Sequence, residues 1–389
     1  MTSLRERFDD AAAAAPPSRL SGPELYAAAW RRRRTRQRWA VAGAGVATAL
    51  LALLVPVSRH PAPSLETPAP PAAITEAVQT DADHVYVLRR PLECDPMPKG
   101  GCAGRLLGSD DGGRTWTERS TAALTSLTSP TPGVLRAAFD DDLMRFSTDG
   151  GRTWKGEQRT DDAVNWLPPG GWMICLPSPR GGCELYGVDP GYGLVKRMAT
   201  GPWITTVQGL LPAPPDAGIW VWGTQPDGHL GISASRDKGM SWRNGSLPGV
   251  EAATARVAGL ATVDGQTAYA VVVDHDQRVL VYRTADIGKT WAPVDPGHTV
   301  PYRDHGQDAY LAADGTLVVR TVSNDPAQWF AGQGGGFAPG PVTGLPKLEG
   351  YRPIVPAGPG MYLTSDRLAL YKSADGLRWT RQPVPLPAR

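Results

Sequence analysis

Past residue 74 this 389-residue sequence has almost nothing that can run as a helix, because Gly and Pro (45 and 38 in the whole chain) interrupt it every few residues. It also lacks a charge excess, with a formal net charge of +2. Residues 1–38 carry nine Arg against Glu6, Asp9, Asp10 and Glu24, a local net of +5, so the remainder is about −3. The pI near 8.3 therefore reflects one basic cluster and leaves no footprint for nucleic acid. The signatures H-E-x-x-H, G-x-S-x-G and G-x-x-x-x-G-K-S/T are missing, which removes the zinc-protease, α/β-hydrolase and P-loop readings. Six His are scattered without ligand spacing. The acidic stretches Asp140-Asp141-Asp142 and Asp274-His275-Asp276 fall where tight hairpin turns are expected and read as solvated turns. Neither a metal nor a cofactor is expected.

What is present is a repeat. Ser109-Asp110-Asp111-Gly112-Gly113-Arg114-Thr115-Trp116 returns at Ser147 to Trp154, Ser235 to Trp242 and Thr284 to Trp291. Ser373-Ala374-Asp375-Gly376-Leu377-Arg378-Trp379 is the same phrase one residue shorter. Worn copies fill the two wide gaps: Gly187 to Leu194, which keeps Asp189, and Ser323 to Trp329, which keeps Ser323, Asp325 and Trp329. Successive copies lie 38 to 50 residues apart and 44 on average, about the length of four strands with their turns. Alternating apolar runs such as Val279-Leu280-Val281-Tyr282 precede the copies and read as half-buried strands. An aromatic residue lies further upstream of six of the seven copies: Tyr86, Trp172, Trp220, Tyr269, Tyr310 and Tyr362.

The pattern S/T-x-D-x-G-x-S/T-W resembles the Asp-box, or BNR repeat, of sialidase-like β-propellers. The implied fold is an all-β, seven-bladed propeller over 74–389, with each box as the turn into a fourth strand. In such turns Ser/Thr and Asp side chains satisfy backbone N–H groups, Gly accepts positive φ, and Trp covers the apolar core. The resemblance places the boxes on the face opposite the active site. Ser109, Asp111, Gly113, Trp116, Ser147, Asp149, Gly151, Trp154, Ser235, Asp237, Gly239, Trp242, Thr284, Asp286, Gly288, Trp291, Ser323, Asp325, Trp329, Ser373, Asp375 and Trp379 are thus expected to be structural. Sialidases also need an arginine cluster, a Tyr nucleophile and acid/base carboxylates. Their Phe/Tyr-Arg-Ile-Pro mark does not match His84 to Pro91, so no catalytic residue carries over.

The N-terminal part reads as an anchor. Residues 39–57 contain no charge, and 19 helical residues at about 1.5 Å each reach roughly 28 Å, enough for a hydrocarbon core. Arg31 to Arg34, Arg36 and Arg38 precede this stretch and predict a cytoplasmic N-terminus with the propeller outside, in the cell membrane. A cleaved signal peptide with a long basic leader is the competing reading. Residues 58–73, rich in Pro and Ala, form an extended stalk. Residues 1–38 could hold a cytosolic regulator, a layout that resembles bacterial single-pass regulators with an outer sensor domain.

Two copies of C-x-P-x-P-K/R-G-G-C predict the local disulfides Cys94–Cys102 and Cys175–Cys183 at hairpin ends, in keeping with an oxidising exterior. Lys99 and Arg180 at their tips form a candidate rim for a ligand. Of the 13 Trp, Trp166, Trp203 and Trp222 lie outside both the boxes and the repeated strand position, and form a candidate stacking platform for sugar or peptide. Together these features point to a module that binds or senses an extracellular glycan or protein. A divergent sialidase-like hydrolase and an assembly scaffold are the alternatives.

Overall fold

The computed structural model describes residues 72–91, 104–179, 181–211, 217–276, 278–294, 308–321, 328–332, 338–340, 342–345, 354–358 and 360–385. The basic segment, the apolar run 39–57 and the stalk to residue 71 lie outside the described residues, as do Cys94, Lys99, Cys102, Arg180, Ser323 and Asp325. Among the described residues no helix is long and apolar enough to cross a membrane. Ala69–Arg389 forms one compact unit.

That unit is all β. One sheet holds β1 (Ala72–Gln79), β2 (Val85–Pro91), β3 (Gly104–Ser109), β4 (Thr117–Thr131), β5 (Val134–Phe139), β6 (Met144–Ser147) and β7 (Lys155–Gly156) in chain order. A second contains β8 (Gln158–Val164), β9 (Trp172–Pro177), β10 (Cys183–Asp189), β11 (Leu194–Met198), β12 (Thr206–Leu211), β13 (Ile219–Thr224), β14 (His229–Ser235) and β15 (Arg243–Glu251). Three further sheets of four strands follow: β16 (Ala255–Thr262), β17 (Ala268–Asp274), β18 (Val279–Thr284) and β19 (Ala292–Val294); then β20 (Asp308–Leu311), β21 (Leu317–Thr321), β22 (Gln328–Gly332) and β23 (Ala338–Pro339); then β24 (Val355–Gly358), β25 (Met361–Ser365), β26 (Ala369–Ser373) and β27 (Thr380–Pro383). β1 begins at Ala72, so the last two residues of the expected stalk are strand, and Ala73 is buried.

The long strand β4 serves two meanders. Its first half pairs with β3 and its second half, from Leu124, pairs with β5. The first strands of neighbouring meanders approach one another, as β16 does β20 and β1 does the second half of β4, where the Glu76 carboxylate accepts from Leu127 N–H. These strands form the inner edge of the fold.

The period of two explains how the meanders stack. In β17, Tyr269, Val271 and Val273 enter the core shared with Leu311, Leu317 and Val319 of the following sheet. Ala268, Ala270 and Val272 enter the core shared with Trp220, Leu230 and Ile232 of the preceding meander. A strand buried on both faces therefore has an unbroken apolar sequence. The last interface joins the first: Leu363, Leu370 and Val384 share a core with Ile74, Val85 and Leu107. Consecutive antiparallel meanders, face to face and closed end on end, make this a β-propeller. Among the described residues no strand is exchanged at the closure; Ile74 N–H donates to Arg367 O at 2.8 Å and Lys372 Nζ to Gly112 O at 3.0 Å.

The β9–β10 hairpin is stapled as expected by Cys175–Cys183, with Cα atoms 5.4 Å apart and a sequence separation of 8. Closing a loop that short stabilises by about 2–3 kcal/mol, chiefly through the unfolded chain. The double variant Cys175→Ser/Cys183→Ser should lose about that much in urea unfolding, and reductant should then have no further effect through this pair. Trp220 is fully buried, donates to Ala217 O at 2.8 Å and meets Trp291 edge-on at 6.4 Å between centroids. Trp220→Ala should cost about 3–5 kcal/mol by the same measurement, the range for emptying an aromatic site.

Candidate functional site

The repeated turns are built alike. Each joins the third strand of a meander to the fourth, as Ser109 to Trp116 joins β3 to β4. Ser109 Oγ donates to Asp111 Oδ1 at 2.7 Å and accepts from Gly113 N–H at 2.6 Å. The same carboxylate accepts from Thr115 N–H at 2.8 Å and, through Oδ2, from Thr115 Oγ1 at 2.7 Å. Trp116 Nε1 donates to Gly113 O at 2.9 Å. The contacts recur at Ser147, Asp149, Gly151 and Trp154 and at Thr284, Asp286, Gly288 and Trp291. Ser235, Asp237 and Gly239 repeat them with Ser241, but the Gly239 carbonyl accepts from Thr200 Oγ1 and Trp242 Nε1 has no partner. In the shortened copy Gly376 N–H donates to Ser373 Oγ, and Arg378 closes on Asp375 through its backbone N–H and Nε. In the worn copy Asp189 still accepts from Gly191 N–H at 2.8 Å. Of the copy at 323–329, Trp329 lies on β22.

These donors hold the carboxyl groups ionised. Hydrogen bonds from the Thr290 side chain and backbone bring Asp286 down to about 2. For Asp149 partial burial pulls upward, but Thr153, Ser147 and Arg152 outweigh it and again leave it at about 2. Backbone and side-chain donation from Thr115 pushes Asp111 lower still, and donation from Arg378 does the same for Asp375. Carboxylates so held do not donate protons near neutrality; they organise turns.

Tyrosine chemistry runs the other way. Burial raises Tyr86, Tyr282 and Tyr371, and lifts Tyr362 to about 12. Tyr362 is 1 % exposed, against its neighbour Tyr310 at 5.9 Å between ring centroids. A tyrosine nucleophile needs the opposite shift.

The acidic turns are occupied by cations. Arg145 Nη2 lies 2.5 Å from Asp141, and Arg278 grips Asp274 through Nε and Nη2 at 2.9 and 2.8 Å. Among the described residues no group of three or more His, Cys, Asp or Glu could hold a metal ion.

Of the three candidate platform tryptophans, Trp166 is 46 % and Trp203 51 % exposed. Trp222 is part-buried and packs on the core that Trp220 enters, with its ring against Gly209. Among the described residues no ring contact joins any two of the three. The expected shared platform is therefore not assembled, because Trp222, two positions beyond Trp220 on one face of β13, is drawn into the core.

A cavity of about 680 Å³ lies elsewhere. Its walls are Thr128 to Thr131 at the end of β4, Trp172 to Cys175 of β9, Leu210 and Leu211 of β12, and Ser235, Arg236 and Lys238 at the turn after β14. Arg136 also lines it, and among the described residues no Asp or Glu does. Arg136 is neutralised by Glu157 at 2.5 Å, and Arg236 Nη1 donates to Asp264 O at 2.8 Å. Arg236 and Lys238 are exposed. The residues come from the turn side of the meanders, whereas Lys99 and Arg180 were expected at the opposite ends of their hairpins.

The cavity exists because one strand changes place. In the other meanders the first strand pairs with the second; β8, which precedes β9, instead pairs parallel with β11 on the far side of β10. Its sequence QRTDDAV is exposed along nearly its whole length. Asp162 pairs with Lys196 at 3.4 Å, and Arg159 lies over the Tyr186 ring at 4.4 Å while donating to its hydroxyl. Two adjacent carboxylates are costly on a buried inner edge and cheap on an outer one. That composition was the available signal for a cavity which the motif search did not find.

No protein-family model matches this chain, and no curated protein does either. Solved structures do. The β-propeller domain of the Trilobed protease from Pyrococcus furiosus, described as having an open velcro topology, is 12% identical, with 82% of this chain and 99% of that one covered and a TM-score of 0.48. YCF48 bound to D1 peptide is 16% identical over 80% and 82%, with a TM-score of 0.34. The SapL1 lectin in complex with alpha methyl fucoside is 14% identical over 82% and 97%, with a TM-score of 0.39. Likeness at this level is one of fold alone.

Since the folded values of Asp149 and Asp286 lie below the unfolded value of about 3.9, their stabilisation is present above that value and lost as pH falls through about 2. Unfolding free energy should thus be flat above pH 5 and fall between about pH 4 and 2, with NMR midpoints for both side chains near 2. Asp149→Asn should cost about 1–2 kcal/mol at neutral pH and flatten part of that acid limb.

Proposed function

We propose that this chain is a binding or sensing module displayed outside the cell on a single-pass anchor at residues 39–57, with residues 1–38 inside and able to hold a cytosolic regulator. The ligand is an extracellular protein or glycan. The propeller is read as seven-bladed and its turns as Asp-boxes. The 44-residue mean spacing of the copies and the return of the last core interface to the first support that count. The observation that carries the binding reading is the cavity of about 680 Å³, a size typical of ligand pockets, whose lining among the described residues has cationic side chains and no carboxylate. A glycosidase needs at least one carboxyl group as acid/base beside the scissile bond, even where a Tyr is the nucleophile, and among the described residues this lining offers none.

The test is the full-length protein in detergent, given fluorogenic sialosides and other glycosides, then a glycan array and a peptide panel. The expected result is no turnover above buffer, with saturable binding to at least one class of ligand. Turnover that survives stringent purification would put the hydrolase in place of the binder, and silence in every binding arm would leave the scaffold reading.

A further inference from the structure

We propose that the cavity beside β9 receives an extended, acidic segment of a partner protein, which completes the meander as its missing inner strand. This rests on the binding-module reading and names its ligand.

The argument begins with strand order. With β8 moved to the outer edge, the order is β9-β10-β11-β8, and β9 is left with one neighbour. All six residues of β9, Trp172 to Pro177, pair with β10, and no ladder is described on the other side. In an antiparallel pair alternate residues turn their N–H and C=O groups away from the partner, so β9 offers a row of unused donors and acceptors. That row faces the cavity, since Trp172, Met173, Ile174 and Cys175 line it.

The flanks identify the vacancy as strand-shaped. The neighbouring first strands, β4 and β12, both reach β9 and both line the cavity. They hold the positions on either side of the one β8 has left. Trp172 gives a second sign. Its counterpart Trp220 donates its indole N–H to Ala217 O, in the turn before β13. Trp172 is 3 % exposed, and its Nε1 has no partner among the described residues.

Charge selects the occupant. Arg136 is cancelled by Glu157, which leaves Arg236 and Lys238 at the turn end of the cavity, with no acidic residue in the lining among the described residues. Lys238 is held at φ 61 in the left-handed region by its turn. An added strand draws affinity from main-chain hydrogen bonds and specificity from alternate side chains. Carboxylates beside Arg236 and Lys238, and small apolar residues against Leu210 and Leu211, fit this wall. The chain's own stalk, residues 58–71, is a poor occupant because its prolines lack the N–H a ladder needs.

The probe is a fluorescein-labelled octapeptide alternating glutamate with valine, titrated by anisotropy into the full-length protein in detergent. Controls are the same peptide N-methylated at alternate residues and a version with lysine for glutamate. The acidic peptide should bind saturably, and both controls should bind at least tenfold more weakly. The exposed double variant Arg236→Glu/Lys238→Glu should lose at least tenfold for the acidic peptide and gain for the lysine version. Hydrogen exchange should show β9 amides that exchange faster than those of β10 in the free protein and become protected with peptide. Equal binding of the N-methylated peptide, indifference to the charge reversal, or β9 amides fully protected without peptide would each overturn the proposal. If peptides stay silent while the glycan array is positive, this inference fails and the binding-module reading survives; if both are silent, both fail.

Discussion

The seating of a side chain from the second strand of one meander on a turn glycine of the next is the contact on which the propeller depends. A Cβ on Gly150 would lie 2.8 Å from the Tyr86 hydroxyl, and one on Gly288 would lie 3.0 Å from the Trp220 ring. Tyr310 reaches the same kind of place and donates to Gly376 O at 2.7 Å. Glycine suits these places because it removes the clash and accepts φ of 73°, 76° and 79°, although the register of Gly150 is filled by Lys238 and Ile287 at φ 61° and 64° in other copies. The hydroxyl of each turn takes the N–H of a glycine at or beside these places, Gly151, Gly288 and Gly376, so local hydrogen bonding sets the distance between sheets. The acids of the repeat act on the fold by holding these turns.

The contact is not uniform around the ring. A Cβ on Gly239 of the β12–β15 meander would approach the Met198 and Met173 methyl groups at 2.8 and 3.5 Å, one on Gly151 the Leu106 side chain, and one on Gly113 the Gln382 amide. Thr200 takes the Gly239 carbonyl, and Trp242 loses the partner its counterparts have. This is also where β8 leaves the inner edge and the cavity forms. Methionine tolerates an ill-fitting neighbour better than a flat ring does. The least regular interface and the cavity are thus one place.

What was legible in the sequence follows from range. The turn at 109–116 uses bonds between residues two to four apart, so its residue types alone disclosed its geometry. The strand aromatics Trp172, Trp220 and Tyr269 were legible because their spacing to the next turn recurs, and all three are buried. The Cys175–Cys183 staple was legible for the same local reason. The position of β8 was not, because it rests on pairing with β11 across some thirty residues and on Asp162 finding Lys196. Trp222 was misread because its neighbours in space, Gly209 and the core around Trp220, come from several strands. Arg236 and Lys238 were passed over as variable positions inside a structural motif, yet they supply the charge at the cavity.

The closure has a consequence for how the chain could be rewired. Ile74 and Val384, near the two ends of the folded unit, enter one core, and among the described residues no strand is swapped across the seam. Such a ring has no topological beginning. Its ends could be joined by a short linker and the chain reopened at another hairpin without undoing any described sheet, so the position of the seam is set by gene order and not by the architecture.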